Sequence, residues 1–167
     1  MKGFPEHATA VRRIETPIGE LVLLASAKGL AGLFFGHRID GSRLPEDDVD
    51  NQHLRAAEVQ LGEYFGGTRT RFDLVLDALG TEFQRAVWAE LRRIPFGLTR
   101  SYAEIAAGIE KPKSVRAVGA ANGSNPISVI VPCHRVIGAD GSLTGFGGGL
   151  ELKRSLLVHE GVLLDVS

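Results

Sequence analysis

Apolar and polar positions alternate from Val11 to Phe35, and the period then lengthens. Val11 to Thr16, Glu20 to Ser26 and Leu30 to Phe35 read as three short strands joined by turns at Pro17-Ile18-Gly19 and Lys28-Gly29. Connections this short predict an antiparallel meander. After an acidic loop from Arg38 to Asp50, the residues Leu54, Ala57, Leu61, Tyr64 and Phe65 recur at helical spacing, and Gly66-Gly67 closes that helix. Its apolar face is expected to cover the sheet. Phe72 to Leu76 reads as a further extended piece. Near residue 80 the composition turns helical and basic, so a boundary is placed between an N-terminal α/β domain, 1–79, and a C-terminal domain, 80–167.

Thr81-Glu82-Phe83-Gln84 and Ser101-Tyr102-Ala103-Glu104 both fit a capping box. The first opens a helix with Phe83, Val87, Trp88, Leu91 and Ile94 as its apolar stripe, stopped by Pro95. The second opens a short helix to about Ile109. Glu110-Lys111-Pro112-Lys113 is a tight connector, and Ser114 is expected to cap a third helix, Val115 to about Asn122. Two helices so closely joined read as a helix-turn-helix or as an ordinary helical hairpin within a core. Arg116 is the third helix's one long polar side chain, among Ala117, Gly119, Ala120 and Ala121. Direct readout in a major groove needs more bidentate side chains than this. Small residues suit close backbone approach, with phosphate and shape readout from a minor groove.

Composition narrows the classes. With 44% apolar and 23% charged residues in a chain of 167, general disorder is excluded. The longest apolar stretch, Leu21 to Gly36, is broken by Ser26, Lys28 and Gly29 and falls short of the roughly 20 residues of a membrane helix. Met1 to Arg13 lacks the apolar region of a signal peptide, so a cytoplasmic location is expected. The net charge of −1 hides a split: nine Lys/Arg against twelve Asp/Glu in residues 1–80, ten against eight in 81–167. Arg85 to Arg116 holds seven basic residues against three acidic ones, which suits nucleic acid and equally a solvated helix surface. One cysteine and five scattered histidines give neither an internal disulfide nor zinc spacing, so no metal and no cofactor are expected.

Candidate chemistry gathers late in the chain. Ile127 to Val131 reads as a short β-like run delivering Pro132-Cys133-His134-Arg135. A lone cysteine is usually a small buried hydrophobe. Here a histidine and an arginine follow it directly, and Pro132 fixes the local backbone. In a straight strand Cys133 and His134 would face opposite ways, so they cooperate only across a turn or through a bridging water. A thiol is only slightly ionised at neutral pH, and His134 is the natural activator. Gly145-Phe146-Gly147-Gly148-Gly149 lacks dinucleotide spacing and suits close approach of backbone to a planar ligand or another loop. It runs into a helix with Leu150, Leu156 and Leu157 as core positions, ending at His159-Glu160-Gly161. A carboxylate at a helix C-terminus needs a partner, and His134 would serve; a solvated terminal acid is the alternative. Cys133, His134 and Glu160 together suit alkyl transfer or the acyl transfer of a cysteine hydrolase. A DNA-binding module with an inert cysteine is a third reading.

These residues resemble the methylated-DNA-protein cysteine methyltransferases, also called O6-alkylguanine-DNA alkyltransferases. The likeness lies in Pro132-Cys133-His134-Arg135-Val136, Ser101-Tyr102, Arg116-Ala117-Val118-Gly119, Asn125-Pro126 and His159-Glu160-Gly161, in order and at family-like spacing. It implies an α+β fold: a ribonuclease H-like domain with an antiparallel three-stranded sheet and helix, then a mostly helical, winged-helix-like domain with a helix-turn-helix. It further implies that Cys133 accepts the alkyl group and that His134, reached through a water and oriented by Glu160, takes the thiol proton. Tyr102 would donate to a guanine ring nitrogen. Arg116 would fill the stack behind a flipped nucleotide, with Ser114 and Ala117 also at the DNA, and Asn125 would brace the cysteine loop. Cys133 and Val136 would accept from the exocyclic amine through their backbone, Gly147 would reach O6 through its amide, and Phe146 would line the base pocket. Some relatives carry Tyr-Ser where this chain has Phe146-Gly147, so a hydroxyl contribution is lost. The implied partner is duplex DNA bearing O6-alkylguanine, with O4-alkylthymine a second candidate. The protein would act as a monomer able to cluster along DNA, and each molecule would turn over once.

Overall fold

The computed structural model describes residues 4–48 and 50–165. Two compact units divide the chain, Met1–Leu79 and Gly80–Ser167.

In the first unit, β1 (Ala10–Thr16), β2 (Gly19–Ala25) and β3 (Leu30–Phe35) form an antiparallel sheet in sequence order. Thr16 pairs with Gly19 across a two-residue turn, and Gly19 holds φ 104, which favours a residue without Cβ. β2 is the central strand, and Leu21 through Ala25 are all fully buried, so its two faces both meet core. α1 (Gln52–Phe65) starts at Asn51, whose side chain accepts from the His53 and Leu54 amides. It buries Leu54, Ala57, Leu61 and Tyr64 and packs on all three strands. Phe72 to Leu76 is not a ladder strand. It touches the sheet edge at one parallel bridge, Leu30 to Leu76, anchored by Leu30 N–H to Val75 O at 2.9 Å. A Cβ on Gly29 would lie 2.7 Å from Val75 O, so this crossing depends on glycine there.

The second unit opens with α2 (Glu82–Leu91), followed by α3 (Tyr102–Gly108) and α4 (Val115–Gly123). Both capping boxes form, at Thr81 with Gln84 and at Ser101 with Glu104. Trp88 Nε1 donates to Ala121 O at 2.8 Å and ties α2 to α4. α3 ends in a Schellman arrangement, Lys111 N–H to Ala106 O and Glu110 N–H to Ala107 O, with Glu110 at φ 62. Ser114 does not cap α4 through its side chain: its backbone, φ −99 and ψ 30, lies outside the extended region that aims an N-cap hydroxyl at the first turn. Two short parallel strands, β4 (Arg100–Ser101) and β5 (Val136–Ile137), hold the start of α3 beside the segment that follows Cys133.

Two further expectations are corrected. Ile127 to Val131 folds as turns rather than as a strand, because hydrogen bonds within the segment replace a ladder: Val131 N–H to Ile127 O at 2.9 Å and Ile130 N–H to Ser128 O at 2.9 Å. Leu150 begins α5 (Leu150–His159) at 51% exposure and is no core position. The inward stripe is Lys153, Leu156, Leu157 and Glu160, at the i, i+3, i+4, i+7 spacing of one helix face.

Candidate active site

The segment leading to Cys133 is wound tightly by its own polar groups. Asn125, buried, donates from Nδ2 to Val131 O at 2.8 Å and accepts at Oδ1 from the Ile127 amide at 3.0 Å. Val129 takes φ 73 in full burial, a left-handed conformation that costs an L residue about 1–2 kcal/mol and is rare for a β-branched one. Packing and the Asn125 bonds hold the turn against that cost. Cys133, His134 and Arg135 then form one 3-10 turn, so neighbours in sequence do not point to opposite faces as they would in a strand. Asn122 Nδ2 on α4 approaches Cys133 O at 3.5 Å.

Behind the cysteine lies a dry ionic cluster. His134 and Glu160 side chains are fully buried, and His134 Nε2 meets Glu160 Oε2 at 2.8 Å. Arg135 closes a bidentate pair on the same carboxylate, Nε to Oε1 at 2.7 Å and Nη2 to Oε2 at 2.9 Å, while Nη1 donates to Ile94 O at 2.7 Å. Burial alone would raise the Glu160 carboxyl, yet the hydrogen bonds from His134 and Arg135 outweigh it and hold it near a pKa of about 2. An ionised Glu160 must accept a proton from Nε2, which leaves Nδ1 as the basic nitrogen of a neutral ring. Nδ1 is buried without a hydrogen-bond partner among the described residues.

Burial pushes the His134 ring down and the Cys133 thiol up. The resting pair is therefore a neutral thiol and a neutral imidazole. His134 can therefore activate only by taking the proton when the reaction calls for it. Against burial, the polar side chain of Asn125, the charge of Lys153, the Ser128 side chain and the cysteine's own backbone amide favour the thiolate. Lys153 is fully buried and donates to Val136 O at 2.6 Å and Thr144 O at 2.7 Å. Burial brings it down to about 8, with Cys133 opposing, so the ammonium persists at neutral pH.

Thr144 joins this cluster to Tyr102. The Tyr102 hydroxyl, at the start of α3, donates to Thr144 O at 3.2 Å, and Thr144 Oγ1 lies 3.1 Å from the same phenol oxygen. A Cβ on Gly119 would meet Tyr102 Cδ1 at 3.9 Å, so the ring rests against the small-residue side of α4. Arg116, Ala117 and Ala120 on that helix are exposed, and Ser114 and Phe146 are half-buried. Gly147 is exposed, with open space where a Cβ would stand. Of the basic window, Arg93 and Arg100 are paired with the buried Glu90. Arg85, Arg92, Lys111, Lys113 and Arg116 stay exposed.

Sequence reasoning placed Cys133, His134 and Glu160 but gave no role to Arg135, Lys153, Asn122 or Ser128. Two of these left a signal. Lys153 stands on the apolar stripe of its helix, and Ser128 interrupts an apolar run. Arg135 and Asn122 act through partners distant in the chain, which local patterning does not reveal.

Comparison with known proteins adds a separate line. Residues 11–78 match the family model described as 6-O-methylguanine DNA methyltransferase, ribonuclease-like domain, and residues 82–162 match the DNA binding domain of the same description. A methylated-DNA--protein-cysteine methyltransferase of Methanosarcina barkeri is 49% identical over 148 residues, covering 88% of this chain and 94% of that protein. One from Mycolicibacterium paratuberculosis is 49% identical over 152 residues, covering 89% and 90%. Among solved structures, Mycobacterium tuberculosis OGT in complex with DNA superposes with a TM-score of 0.83 at 46% identity, covering 92% of this chain and 94% of that one.

Proposed function

The chain belongs to the methylated-DNA-protein cysteine methyltransferase family, and from that premise we propose that it repairs DNA by moving a methyl or larger alkyl group from O6-alkylguanine in a duplex onto Cys133, once per molecule. The observation that carries this reading is the proton acceptor built beside the sulfur: Glu160 fixes His134 Nε2 at 2.8 Å and leaves Nδ1 basic. O4-alkylthymine is the second candidate substrate. The protein acts as a monomer in the cytoplasm. Among the described residues no helix is long and apolar enough to cross a membrane.

A target atom inside a duplex must be brought out, and the stack needs a replacement. Arg116 suits that task because it is exposed on α4 and flanked by the small Ala117 and Ala120, which let the helix approach a groove closely. Ser114, half-buried at the start of the same helix with its side chain not used as a cap, would contact a phosphate. The extruded base would lie by Phe146, with the Gly147 amide at O6 and the Cys133 and Val136 carbonyls toward the exocyclic amine. The thiol proton passes through a water to His134 Nδ1. The sulfur then attacks the alkyl carbon, the S–C bond forms as the C–O bond breaks, and the purine leaves with O6 as a carbonyl. A ring nitrogen of the purine gains a proton, so the net transfer runs from thiol to base. Tyr102 stabilises that departure once its hydroxyl turns from Thr144 to the ring nitrogen. The product thioether is not opened by water, so the protein is consumed.

Intact-mass analysis after incubation with a duplex carrying one O6-methylguanine tests the reading. A single methyl increment mapped to Cys133, absent in Cys133→Ala with duplex binding retained, is expected. Product beyond one equivalent per protein would instead indicate a cysteine hydrolase, and an unchanged mass would leave a binding module.

A further inference from the structure

Tyr102 and Thr144 stand 42 positions apart in the chain and are brought together from both sides. β4 pairs with β5, Arg100 to Val136 and Ser101 to Ile137, which sets the start of α3 beside the segment after Cys133. Lys153 Nζ donates both to Val136 O at 2.6 Å and to Thr144 O at 2.7 Å, so the loop that leads to Phe146 is pinned to that same segment. In this frame Thr144 meets the Tyr102 phenol through two groups. Its carbonyl accepts from the hydroxyl at 3.2 Å, and its Oγ1 donates to the phenol oxygen at 3.1 Å.

We propose that Thr144 is a positioning residue for the transfer assigned above, on which this inference rests: its hydroxyl holds and polarises the Tyr102 O–H that hydrogen-bonds the departing base. A phenol oxygen both donates and accepts, so its two partners can be exchanged independently. To reach a purine ring nitrogen, the Tyr102 hydroxyl must turn away from Thr144 O. That carbonyl is not left unpaired, because the Lys153 ammonium still donates to it. The Thr144 Oγ1–H need not move. It stays on the phenol oxygen, and a hydroxyl that accepts one hydrogen bond gives a stronger one in turn. Thr144 is exposed in the free chain, where water weakens such a bond. A base lying by Phe146, two residues on, would exclude that water and strengthen the bond as the leaving group forms. The phenol keeps its proton throughout, so the proton balance from thiol to base is unchanged.

Single-turnover transfer from a duplex carrying one O6-methylguanine, followed by intact mass at increasing duplex concentration, tests this. Thr144→Val keeps the side-chain shape and the backbone carbonyl and removes the donor. It is expected to lower the limiting rate constant by roughly three- to tenfold, the worth of one hydrogen bond, with the half-saturating duplex concentration unchanged. Thr144→Ser, which keeps the hydroxyl, stays near the parent rate. In a Tyr102→Phe background Thr144→Val should have no further effect, because its partner is gone. Equal factors in both backgrounds would mark a packing role in the loop and overturn the proposal, as would an unchanged rate in Thr144→Val. Alkylation of Cys133 by iodoacetamide, which forms an S–C bond to the thiolate and releases iodide, should proceed alike in the parent and Thr144→Val. A parallel fall there would place the loss at the sulfur and also overturn it. Trp88 emission reports that the variants are folded. A parent chain that never demethylates the duplex overturns the functional reading and this inference with it, whereas a parent that transfers while the two backgrounds show equal factors overturns the inference alone.

Discussion

The two units bury different chemistry. Among the described residues of the first, the core is Leu, Val, Ile, Ala and aromatic side chains, and Ser26 is its one buried polar residue. The second buries Glu90, Asn122, Asn125, His134, Arg135, Lys153 and Glu160. Apolar burial is non-directional and stabilises wherever it occurs. Buried charge stabilises only when each group finds its partner, and otherwise it is costly. A fold that keeps three charged side chains and a histidine around one sulfur is holding them for what they do to that sulfur. Backbone conformation follows the same division. Positive φ in the first unit occurs at Gly19 and Gly67, whereas the second places it also at Glu110 and Val129.

Removing one ionic partner and one apolar side chain in parallel separates the two kinds of burial. Glu160→Gln leaves Arg135 buried without its carboxylate and is expected to destabilise the second unit by about 3–5 kcal/mol. It also frees the His134 tautomer, and alkyl transfer should fall by roughly 10²–10⁴-fold, the usual worth of a positioned base. Leu23→Ala at the centre of β2 should cost a comparable 2–5 kcal/mol, or about that, while transfer per folded molecule stays unchanged. Denaturant titration together with single-turnover transfer separates the two. Equal loss of transfer in both variants would erase the distinction.

Acid provides the next test. His134 is held neutral in the folded state, so its contribution is complete above the ordinary histidine range and is lost as pH falls through it, when the unfolded chain takes up a proton and the folded one does not. Glu160, held at about 2, adds a second loss as pH falls from about 4.5 toward 2. Both act in the second unit and in the same direction. Trp88, the chain's one tryptophan, lies buried there and reports that unit alone. Its emission is expected to show a melting point falling progressively below about pH 6.5, the ordinary histidine value. A melting point flat from pH 7 to 5 would contradict a buried neutral His134.

What could be read from the sequence divides along the same line. Elements fixed by near neighbours were legible: the three strands, the α1 face, and both capping boxes, where Thr81 and Ser101 are answered three residues on. Ser114 has the right side chain for a cap but not the backbone, and a backbone angle set by the preceding turn has no sequence signature. Ile127 to Val131 has the composition of a strand, and the long-range packing that winds it into turns overrides β propensity. At the site, Cys133, His134 and Glu160 were legible because one motif and one misplaced carboxylate drew notice. The bonds that give them their charge states join residues 25 or more positions apart, or place a lysine where an apolar residue was expected.

The smallest effect separates strain that serves the sulfur from strain that does not. Glu110 occupies the position after α3 where a Schellman ending normally has glycine, and its exposed side chain makes no hydrogen bond or ion pair among the described residues. The left-handed conformation costs a residue with Cβ about 1–2 kcal/mol, and glycine gives back roughly 0.5–1 kcal/mol through the flexibility of the unfolded chain. Glu110→Gly should therefore stabilise the second unit by about 0.5–1 kcal/mol, a rise of a few degrees in the Trp88 melting point, with transfer unchanged. Val129 carries a similar backbone angle, but its turn lies in the segment that delivers Cys133, so relief of strain there would come at the site's expense. A Glu110→Gly chain that melted lower than its parent would mean that this angle too is held for a purpose, and the division between structural and chemical strain would have to be redrawn around the helix-turn-helix.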